Sequence, residues 1–594
     1  MKTNTNCTPS TRYRYNLSLP LALLFIFGFL TTQGQSRINI FELMERRDLR
    51  LSEIEAIARK HFDEVGRVRG TGYKQYERWR YEKQFHVNAQ GFLLPENYDA
   101  LQYASSSLST MNVSAAADAW TEVGPKTWSR TTSWNPGVGR ITSIAVYPAD
   151  TSIIYITCPG GGIWKSTQGG KQWVPLSDAN NSLMNMFSIT VDPSNSNVVF
   201  AGNSGGELYK STDGGTTWTL KKSTGGNLRK ILIDPTQPQT LFLASSGGLY
   251  KSVDGGSTFT KKLAVSIEDI EFKPGDPTTL YASGSSIYRS LDYGETWTQL
   301  TALANGITNT GRTLLGVSAA DPLVVYAVQS NGSEFGRLYR SADGGNTFTT
   351  TITGSSTTCT NFFGYSSNGC GTGGQASYDM AITVNPLNAN EVHMAGIICW
   401  KSTNGGTSFI AETEWSLPNS TGYNHADVHV LEWVGKTIYS GSDGGIYKSI
   451  DNGDNWIDLS LGLGTRQFYR IANSKTSTKL ITGGAQDNGS SIYKSSGWID
   501  WLGADGMDCI VSPLDSNLIW GTSQYGSLYR TSNGGSSYSG VSVPRSGNWV
   551  TPLAIESTKN IIYGGWKGIW KSTDLGASWT KISIDTNNLV ALAV

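Results

Sequence analysis

The chain has 594 residues, in which 47 Lys and Arg balance 47 Asp and Glu. This zero formal net charge gives no reason to expect nucleic acid or an anionic membrane as a partner. A chain of this length ordinarily folds as several domains, unless internal repeats stack into a single body.

Residues 1–35 have the pattern of a secretory signal peptide. Lys2, Arg12 and Arg14 precede an apolar stretch from Leu17 to Leu30, and small residues follow at 32–34. The apolar stretch is shorter than the about 20 residues that a spanning helix needs. We therefore predict a secreted or cell-surface protein with no membrane span after signal removal.

Residues 36–104 are predicted to form a helical and aromatic N-terminal segment. Ser52 and Glu55 fit a capping box, and apolar residues follow at helical spacing as far as Val65. The charged, aromatic stretch from Tyr73 to Phe85 comes next, and residues 105–117 form a Ser/Ala-rich linker. This composition fits a pro-segment or a packing element better than a catalytic domain.

A short turn motif recurs nine times in residues 118–594. A full copy is Lys210-Ser-Thr-Asp-Gly-Gly-Thr-Thr-Trp218, and a short apolar-aromatic run before each copy predicts a strand that enters a hairpin turn. The first hydroxyl residues of the copies are Ser166, Ser211, Ser252, Ser290, Ser341, Ser402, Ser449, Thr531 and Ser572. Their mean period of about 45 residues is that of a four-stranded propeller blade. A degenerate copy at Ile492–Trp498 raises the count to ten.

The sequence therefore predicts an all-β propeller of about ten four-stranded blades, which we expect to close as one ring. Trp120–Pro125 is predicted to be the strand that begins this ring. Asn588–Val594 is predicted to be the first strand of another blade, which either closes the ring or marks the chain as a fragment.

The turn pattern Ser-x-Asp-x-Gly-x-Thr-Trp resembles the Asp-box, or bacterial neuraminidase repeat. Sialidases, xyloglucan-cleaving glycosidases, sortilin-type sorting receptors and a photosystem assembly factor share this motif. The resemblance implies a propeller whose boxes lie at the blade periphery, away from the ligand. Among these families the chain is most similar to the sortilin-type ten-bladed propellers and the xyloglucanase-like glycosidases, although it lacks the cysteine-rich module of the sortilin type.

Asp443, Asp487 and Asp505 lie among glycines and are the candidate catalytic carboxylates. Two carboxylates about 5 to 10 Å apart can hydrolyse a glycoside, whereas Asp-Gly is also a common turn signal without a catalytic role. The resemblance to xyloglucan-cleaving enzymes implies a catalytic Asp before a Gly-Gly pair in each ring. Thr157–Ile163 lacks that carboxylate, and Gly441–Gly445 retains one.

A second group of polar residues surrounds these carboxylates. If Asn424–Val430 is a strand, three of its polar side chains face one way and either line a water-filled channel or bind a transition metal. Alternate strand residues lie about 6.5–7 Å apart, which is wide for one ion, so no metal or other cofactor is predicted. The candidate ligand contacts are His425, Asp427, His429, Gln486 and Asn488.

The insertion from Thr351 to Tyr378 is the longest departure from the repeat. Its aromatic side chains, if exposed, suit a sugar face or a peptide, although the insertion is also compatible with a solvated spacer. Two of its cysteines are expected to form a disulfide in an oxidising compartment, and the pairing of Cys158, Cys399 and Cys509 stays open. The aromatic candidates are Phe362, Phe363 and Tyr365, and the predicted pair is Cys359 with Cys370.

Two functions are compatible with these features. The first is an exported binding or scaffold module for extracellular protein or peptide, similar to sortilin-type propellers. The alternative is a glycoside hydrolase that resembles xyloglucanases and acts on polysaccharide through paired carboxylates. Whether the protein is an enzyme stays open at this point.

Overall fold

The computed structural model describes residues 38–94, 121–129, 136–178, 180–300, 305–307 and 311–594. The predicted signal peptide and the linker at 105–117 therefore lie outside the described residues. None of the helices in these described ranges is long and apolar enough to cross a membrane.

Residues 38–94 form an N-terminal unit with three helices: α1 (Ile40–Met44), α2 (Leu51–Val65) and α3 (Tyr73–Lys83). The helices pack around a small core that contains Ile54, Ala58 and Phe62. Helical spacing of these apolar side chains produces the buried face of α2, as predicted.

The predicted capping box at Ser52 and Glu55 is wrong by two residues. Helix α2 begins at Leu51, and the backbone N–H of Arg50 donates to Glu53 Oε2 at 2.8 Å. Ser52 already lies inside the helix, so its backbone is no longer in the extended conformation that an N-cap residue requires.

The predicted all-β propeller with ten four-stranded blades is confirmed. The described residues form ten antiparallel sheets, each with four strands. The middle strands of a blade are apolar on both faces because neighbouring blades cover them, whereas the fourth strand lies at the edge and is more polar. In blade 3, for example, Leu241–Ser245 is buried throughout and Thr260–Leu263 is half-buried or exposed.

The first five blades contain 20 strands. Blade 1 is β1 (Ser143–Val146), β2 (Ile154–Cys158), β3 (Gly162–Ser166) and β4 (Val174–Pro175); blade 2 is β5 (Met186–Asp192), β6 (Asn195–Asn203), β7 (Glu207–Ser211) and β8 (Thr219–Ser223); blade 3 is β9 (Leu228–Ile233), β10 (Leu241–Ser245), β11 (Gly248–Ser252) and β12 (Thr260–Leu263); blade 4 is β13 (Asp269–Lys273), β14 (Asp276–Ser283), β15 (Ile287–Ser290) and β16 (Thr298–Leu300); blade 5 is β17 (Thr313–Val317), β18 (Val325–Asn331), β19 (Glu334–Ser341) and β20 (Thr349–Thr353).

The last five blades follow the same order. Blade 6 is β21 (Ala381–Val384), β22 (Val392–Ala395), β23 (Cys399–Ser402) and β24 (Ile410–Ala411); blade 7 is β25 (Val428–Val434), β26 (Thr437–Ser442), β27 (Gly445–Ser449) and β28 (Ile457–Asp458); blade 8 is β29 (Phe468–Asn473), β30 (Ile481–Ala485), β31 (Gly489–Lys494) and β32 (Gly497–Leu502); blade 9 is β33 (Cys509–Val511), β34 (Ile519–Thr522), β35 (Leu528–Thr531) and β36 (Ser539–Val541); blade 10 is β37 (Leu553–Ile555), β38 (Ile562–Gly564), β39 (Trp570–Ser572) and β40 (Thr580–Lys581).

The repeated turn connects the third and fourth strands of a blade and also packs on the preceding blade. In blade 2, Ser211 Oγ accepts from the N–H of Gly215 at 2.8 Å, and Asp213 Oδ1 accepts from the N–H of Thr217 at 2.9 Å. Gly215 has φ 96°, and a Cβ there would lie 2.4 Å from the side chain of Leu176. Glycine is therefore needed both for the backbone angle and for the close approach of adjacent blades.

The same close approach shows which blades are neighbours in the ring. Gly170, in the turn of blade 1, lies against Leu459, which follows the last strand of blade 7, and Trp173 Nε1 donates to the carbonyl of Leu459 at 2.8 Å. Strand β1 also contacts β25 and β26. Blades 1 to 7 therefore close a ring among themselves.

Blades 8 to 10 form a second row, in which β33 contacts β29, β30 and β37. The expectation that all ten blades lie in one ring is thus wrong, although their number is confirmed. The repeat period sets the size of each blade, but it does not determine which blades meet, because each repeat contacts only its spatial neighbours.

The strands predicted at the two ends of the propeller are absent from the described residues. Thr121–Ser129 forms no strand and is held partly by side chains, since Trp498 Nε1 donates to the carbonyl of Val123 at 2.5 Å. Asn588–Val594 also forms no strand, and Arg470 Nη2 donates to the carbonyl of Val590 at 3.1 Å. Neither segment has a backbone ladder partner, which a strand requires.

A buried ion pair joins the ring to blade 8. Arg466 Nη1 lies 2.6 Å from Asp500 Oδ1, and both side chains are almost completely buried. Arg466 Nη2 also donates to the carbonyl of Gly137, which precedes blade 1, at 2.5 Å. The guanidinium of Arg466 therefore connects the segment before blade 1 to blade 8.

A cavity of about 1890 Å³ runs along the inner strands of the ring, as expected for a propeller channel. Ile40 and Phe41 of α1 line this cavity together with Arg140, Tyr378 and His429. The N-terminal unit therefore adjoins the channel at the side where these three polar residues lie.

Candidate functional site

Four aspartates converge where blade 7 meets blades 8 and 9. Asp427 precedes β25, Asp443 lies between β26 and β27, and Asp487 lies between β30 and β31. One carboxylate oxygen from each of these three lies within 4.8 Å of the others. Asp505, just before β33, accepts from the N–H of Asp487 at 3.0 Å. We call Asp427, Asp443, Asp487 and Asp505 the carboxylate cluster.

Backbone conformation brings these carboxylates together. Asp427 and Asp487 have φ values of 64° and 53°, in the left-handed region that aspartate tolerates better than most residues with a side chain. Gly444 lies directly on the ring of His425, where a Cβ would be 2.1 Å from Cγ. The glycines next to the aspartates therefore permit the dense packing of this site.

Helix α3 lies over the carboxylate cluster and places two cations on it. Lys74 Nζ is 2.9 Å from Asp487 Oδ1 and 2.9 Å from Asp505 Oδ2. Arg78 Nη2 bonds both Asp487 and Asp505, with a distance of 2.7 Å to Asp505 Oδ1. Residues four apart share one face of a helix, so this spacing directs both cations toward the same pair of carboxylates.

The ion pairs of Arg78 are buried, whereas the Lys74 side chain is 39% exposed. Arg78 is 7% exposed and Asp505 is 0% exposed. Burial alone would raise the pKa of Asp487, but Arg78 and Lys74 outweigh it and hold that pKa well below its ordinary value. Asp487 is therefore ionised and neutralised by α3.

Helix α3 also contacts the blades through aromatic rings and through a side-chain amide. Tyr73 stacks on Tyr525 with ring centroids 6.4 Å apart, and Tyr81 meets Tyr469 edge-on at 5.8 Å. Toward the C-terminal end of α3, Arg80 Nη2 donates to Asn548 Oδ1 at 3.2 Å. Helix α3 thus contacts the carboxylate cluster through its cations and the neighbouring blades through its rings.

An amide pair links α3 to Asp427. The side chain of Gln75 donates to Gln375, and Gln375 Nε2 donates to Asp427 Oδ1 at 2.7 Å. Burial is the largest cause that raises the pKa of Asp427 to about 7, followed by the charges of Asp443 and Asp487. Asp427 therefore changes its protonation near neutral pH, unlike an ordinary aspartate.

Asp443 is held by residues of the ring. His429 Nε2 lies 2.8 Å from Oδ1, and the hydroxyl of Tyr378 donates to Oδ2 at 2.8 Å. Arg140 Nε is 3.5 Å from Oδ1. With 1% of its side chain exposed, Asp443 is enclosed among these groups rather than open to solvent.

A fifth aspartate lies behind the cluster. Asp379 is fully buried, and neither of its carboxylate oxygens has a hydrogen-bond partner in the described part of the chain. Burial, followed by the charges of Asp427 and Asp443, raises the pKa of Asp379 well above its ordinary value. Asp379 therefore holds a proton more readily than an ordinary aspartate does.

The predicted strand Asn424–Val430 begins only at Val428. The left-handed backbone at Asp427 interrupts the alternation, so the expectation that His425, Asp427 and His429 share one face of a strand is wrong. His429 contacts Asp443, whereas His425 is buried and its Nδ1 lies 3.0 Å from the carbonyl of Ala426. Gln486 and Asn488 flank Asp487 and are near the cluster, and Asn488 Nδ2 donates to the carbonyl of Asp443 at 3.2 Å.

The aromatic residues of the insertion are covered. Phe362 and Phe363 are 4% and 0% exposed, because they pack with Phe335 in the core formed by blades 5 and 6. The expectation that they are exposed for a ligand is therefore wrong. Tyr365 is half-buried beneath the guanidinium of Arg69, 3.8 Å from its ring centroid.

The cysteines of the insertion form a disulfide between Cys359 and Cys370. Cys158, Cys399 and Cys509 are buried and free. The disulfide closes the loop that carries Phe362 and Phe363 and so supports the position of this loop beside the N-terminal unit.

The cations of the site were not predicted from the sequence. Lys74 and Arg78 of α3 and Arg140 before β1 are distant in sequence from the aspartates that they contact. A signal for the first two was present, since a Lys and an Arg four residues apart in a helix must lie on one face. Their partners could not be deduced without the three-dimensional arrangement of the blades.

Solved structures of other proteins share the propeller fold of this chain. A GH74 xyloglucanase from Xanthomonas campestris aligns with a TM-score of 0.59 at 15% identity, covering 77% of this chain and 75% of that one. The chain shares the propeller fold of that enzyme. A GH74 enzyme from Niastella koreensis gives a TM-score of 0.57 at 19% identity, with 77% and 74% covered. No protein-family model matches the chain, and no curated protein sequence matches it.

Proposed function

We propose that this chain is an exported β-propeller that binds extracellular protein or peptide segments at the carboxylate cluster. The observation that carries this proposal is the position of α3, a helical segment whose Lys74 and Arg78 bind Asp487 and Asp505. The cluster thus already holds one peptide segment of suitable chemistry, supplied by the chain itself.

Charge determines what kind of ligand the cluster favours. Burying carboxylates is costly unless cations and hydrogen bonds compensate for lost hydration. A neutral sugar brings hydroxyl donors but no positive charge, whereas a basic peptide brings charged donors, whose hydrogen bonds to carboxylates are about twice as strong. Asp487 and Asp505 therefore favour a basic peptide segment over a neutral polysaccharide.

Two features support export. The N-terminal sequence has a charged start followed by the apolar stretch from Leu17 to Leu30. The disulfide between Cys359 and Cys370 is of the kind that persists in an oxidising compartment. The proposed ligand is therefore an extracellular one.

The binding proposal is tested with a labelled peptide of residues 69–86 and the full-length K74A/R78A variant. Fluorescence anisotropy should show saturable binding to this variant, because its own helix has lost the two cations that hold it. The matched control, R59A/K60A, removes two exposed cations from α2 and should bind the peptide at least tenfold more weakly.

Addition of D487N and D505N to K74A/R78A should reduce peptide affinity at least tenfold. Far-UV circular dichroism of each variant establishes that the propeller is folded. If folded K74A/R78A binds the peptide no better than R59A/K60A does, the cluster is not a peptide site and the proposal fails.

A second candidate function is glycoside hydrolysis. Asp427, with a pKa of about 7, lies beside Asp443, and their oxygens fall within 4.8 Å. Retaining glycosidases use one protonated and one ionised carboxyl about 5–5.5 Å apart. The similarity in fold to a GH74 xyloglucanase adds to this candidate.

The two functions are separated by an activity assay. If the chain is a glycosidase whose site α3 covers, K74A/R78A should release reducing sugar from xyloglucan or a related β-glucan, and addition of D443N should abolish that release. A folded K74A/R78A variant without activity on these polymers excludes this second candidate.

A further inference from the structure

The N-terminal unit, residues 38–94, has a core of its own. Ile54, Ala58, Phe62 and Tyr76 form one cluster with other side chains of the unit, and this cluster includes no residue of the blades. An isolated bridge pairs Arg50 with Phe92 near the C-terminal end of the unit, and a second bridge pairs Val87 with Leu93. The unit is therefore held together internally, apart from its contacts with the propeller.

The contact between this unit and the propeller includes several polar contacts. Charged or amide contacts connect it to blades 3, 5 to 6, 8 to 9 and the start of blade 10. These contacts are Glu45 with Arg229, Gln75 with Gln375, Lys74 and Arg78 with Asp487 and Asp505, and Arg80 with Asn548. Such polar contacts are more common in interfaces between partners that separate than in the apolar interfaces of permanent ones.

The apolar part of the contact includes aromatic pairs around the charges, and Tyr81 also packs against the buried cluster of Met507, Trp549 and Val550. Phe41 stacks on Tyr378 with centroids 6.4 Å apart, and Tyr73 and Tyr81 contact Tyr525 and Tyr469. A peptide that replaces α3 must therefore supply both charge and rings. In α3 the two rings that contact the blades are Tyr73, one residue before Lys74, and Tyr81, seven residues after it.

We propose that the N-terminal unit is a displaceable plug, in which α3 occupies the carboxylate cluster as a tethered ligand until a protein segment of the same chemistry replaces it. The replacing segment is a basic helix with cations at positions i and i+4 and aromatic side chains at i−1 and i+7. This inference rests on the proposed function, since it specifies the partner and the regulation of the same site.

Attachment to the same chain makes α3 a strong competitor. A tethered ligand binds at an effective concentration that can reach the millimolar range, so a separate peptide of equal intrinsic affinity binds only weakly to the intact protein. Removal of the tether converts the competition into an ordinary equilibrium between two separate molecules. The unit and the peptide should then exchange.

The test uses the full chain with a protease cleavage site introduced between residues 105 and 117. After cleavage, the N-terminal fragment should co-elute with the propeller in size-exclusion chromatography. An excess of the peptide of residues 69–86 should release that fragment, while the near-UV circular dichroism of the propeller stays unchanged. The same peptide with Ala at positions 74 and 78 should release at least tenfold less fragment.

Dilution of the cleaved protein separates failure of this inference from failure of the proposed function. If the fragment stays bound after dilution and peptide addition until the propeller unfolds, the unit is a permanent part of the fold and the inference is wrong. If the fragment dissociates on dilution but the labelled peptide does not bind the emptied propeller, the plug is displaceable and the proposed function is wrong.

Discussion

Arg78 Nη2 donates to the carboxylates of both Asp487 and Asp505, at 2.7 Å to Asp505 Oδ1. Asp487 lies in blade 8 and Asp505 lies in the connection from blade 8 to blade 9, and Arg78 belongs to a helix more than 400 residues earlier in the chain. The position of the N-terminal unit therefore depends on a contact that only the complete fold can create.

Asp505→Asn should weaken the attachment of α3. Asp505 receives bonds from Lys74, Arg78 and Gln524, and the change would leave two cations to share the charge of Asp487. Loss of one partner in a buried pair costs about 3–5 kcal/mol. Hydrogen exchange of α3 amides should show a fall of this order in the free energy of local opening.

Asp515→Asn is the matched control for that change, because Asp515 lies on an exposed turn of the same blade. Equal protection of α3 in D505N and D515N would contradict a role for Asp505 in holding the helix.

Asp427 should make stability depend on pH below neutrality. Burial and the charges of Asp443 and Asp487 raise its pKa from 3.8 to about 7, so the folded state retains a proton that the unfolded state loses. This contribution is present below about pH 4 and is lost as the pH rises through about 7. The free energy of unfolding of D427N, from urea titrations between pH 4 and 8, should fall less steeply with pH. An identical slope in wild type and D427N would show that Asp427 titrates normally.

His393 should make stability depend on pH above neutrality. Burial alone would lower its pKa, but Glu412, whose oxygen lies 2.9 Å from Nδ1, and Glu391 raise it to about 9. Stability from this cation is complete below about pH 6.5 and is lost as the pH rises through about 9. H393Q should therefore lack the decline in unfolding free energy that wild type shows between pH 7 and 10. The exposed His86 provides a control, and H86Q should decline like wild type.

Arg466→Met should destabilise the junction between the ring and blade 8. The change would leave Asp500, which is 2% exposed, without its cation, at a cost of about 3–5 kcal/mol. Urea unfolding followed by tryptophan fluorescence measures this cost. The double variant R466M/D500N should recover part of the loss, because it removes the uncompensated charge. No recovery would indicate that the guanidinium acts through its bond to the carbonyl of Gly137 instead.

The sequence predicts the blades well because their signals are local. The turn around Ser211, Asp213 and Gly215 depends on neighbours only a few residues away, so its repetition reveals nine of the ten blades, and a degenerate copy marks the tenth. Closure of the ring depends instead on Gly170 and Leu459, which are almost 300 residues apart. A pattern of a few neighbouring residues cannot predict a contact between residues so far apart in sequence.

The aspartates of the candidate site could also be predicted from local sequence, whereas its cations could not. Asp443, Asp487 and Asp505 stand out because glycines surround them, and the fold brings them together. Lys74 and Arg78 complete the site from another part of the chain, and composition alone gives no indication of that partnership. Phe362 and Phe363 were proposed as ligand contacts because their loop interrupts the repeat. Both side chains are instead part of the core.

The most direct test of the account is hydrogen–deuterium exchange of residues 73–83 in wild type, K74A/R78A and R59A/K60A. If Lys74 and Arg78 hold the helix, it should exchange rapidly in K74A/R78A only, with the blade strands protected equally in all three proteins. Equal protection of residues 73–83 in all three would contradict the claim that Lys74 and Arg78 hold the helix on the carboxylate cluster.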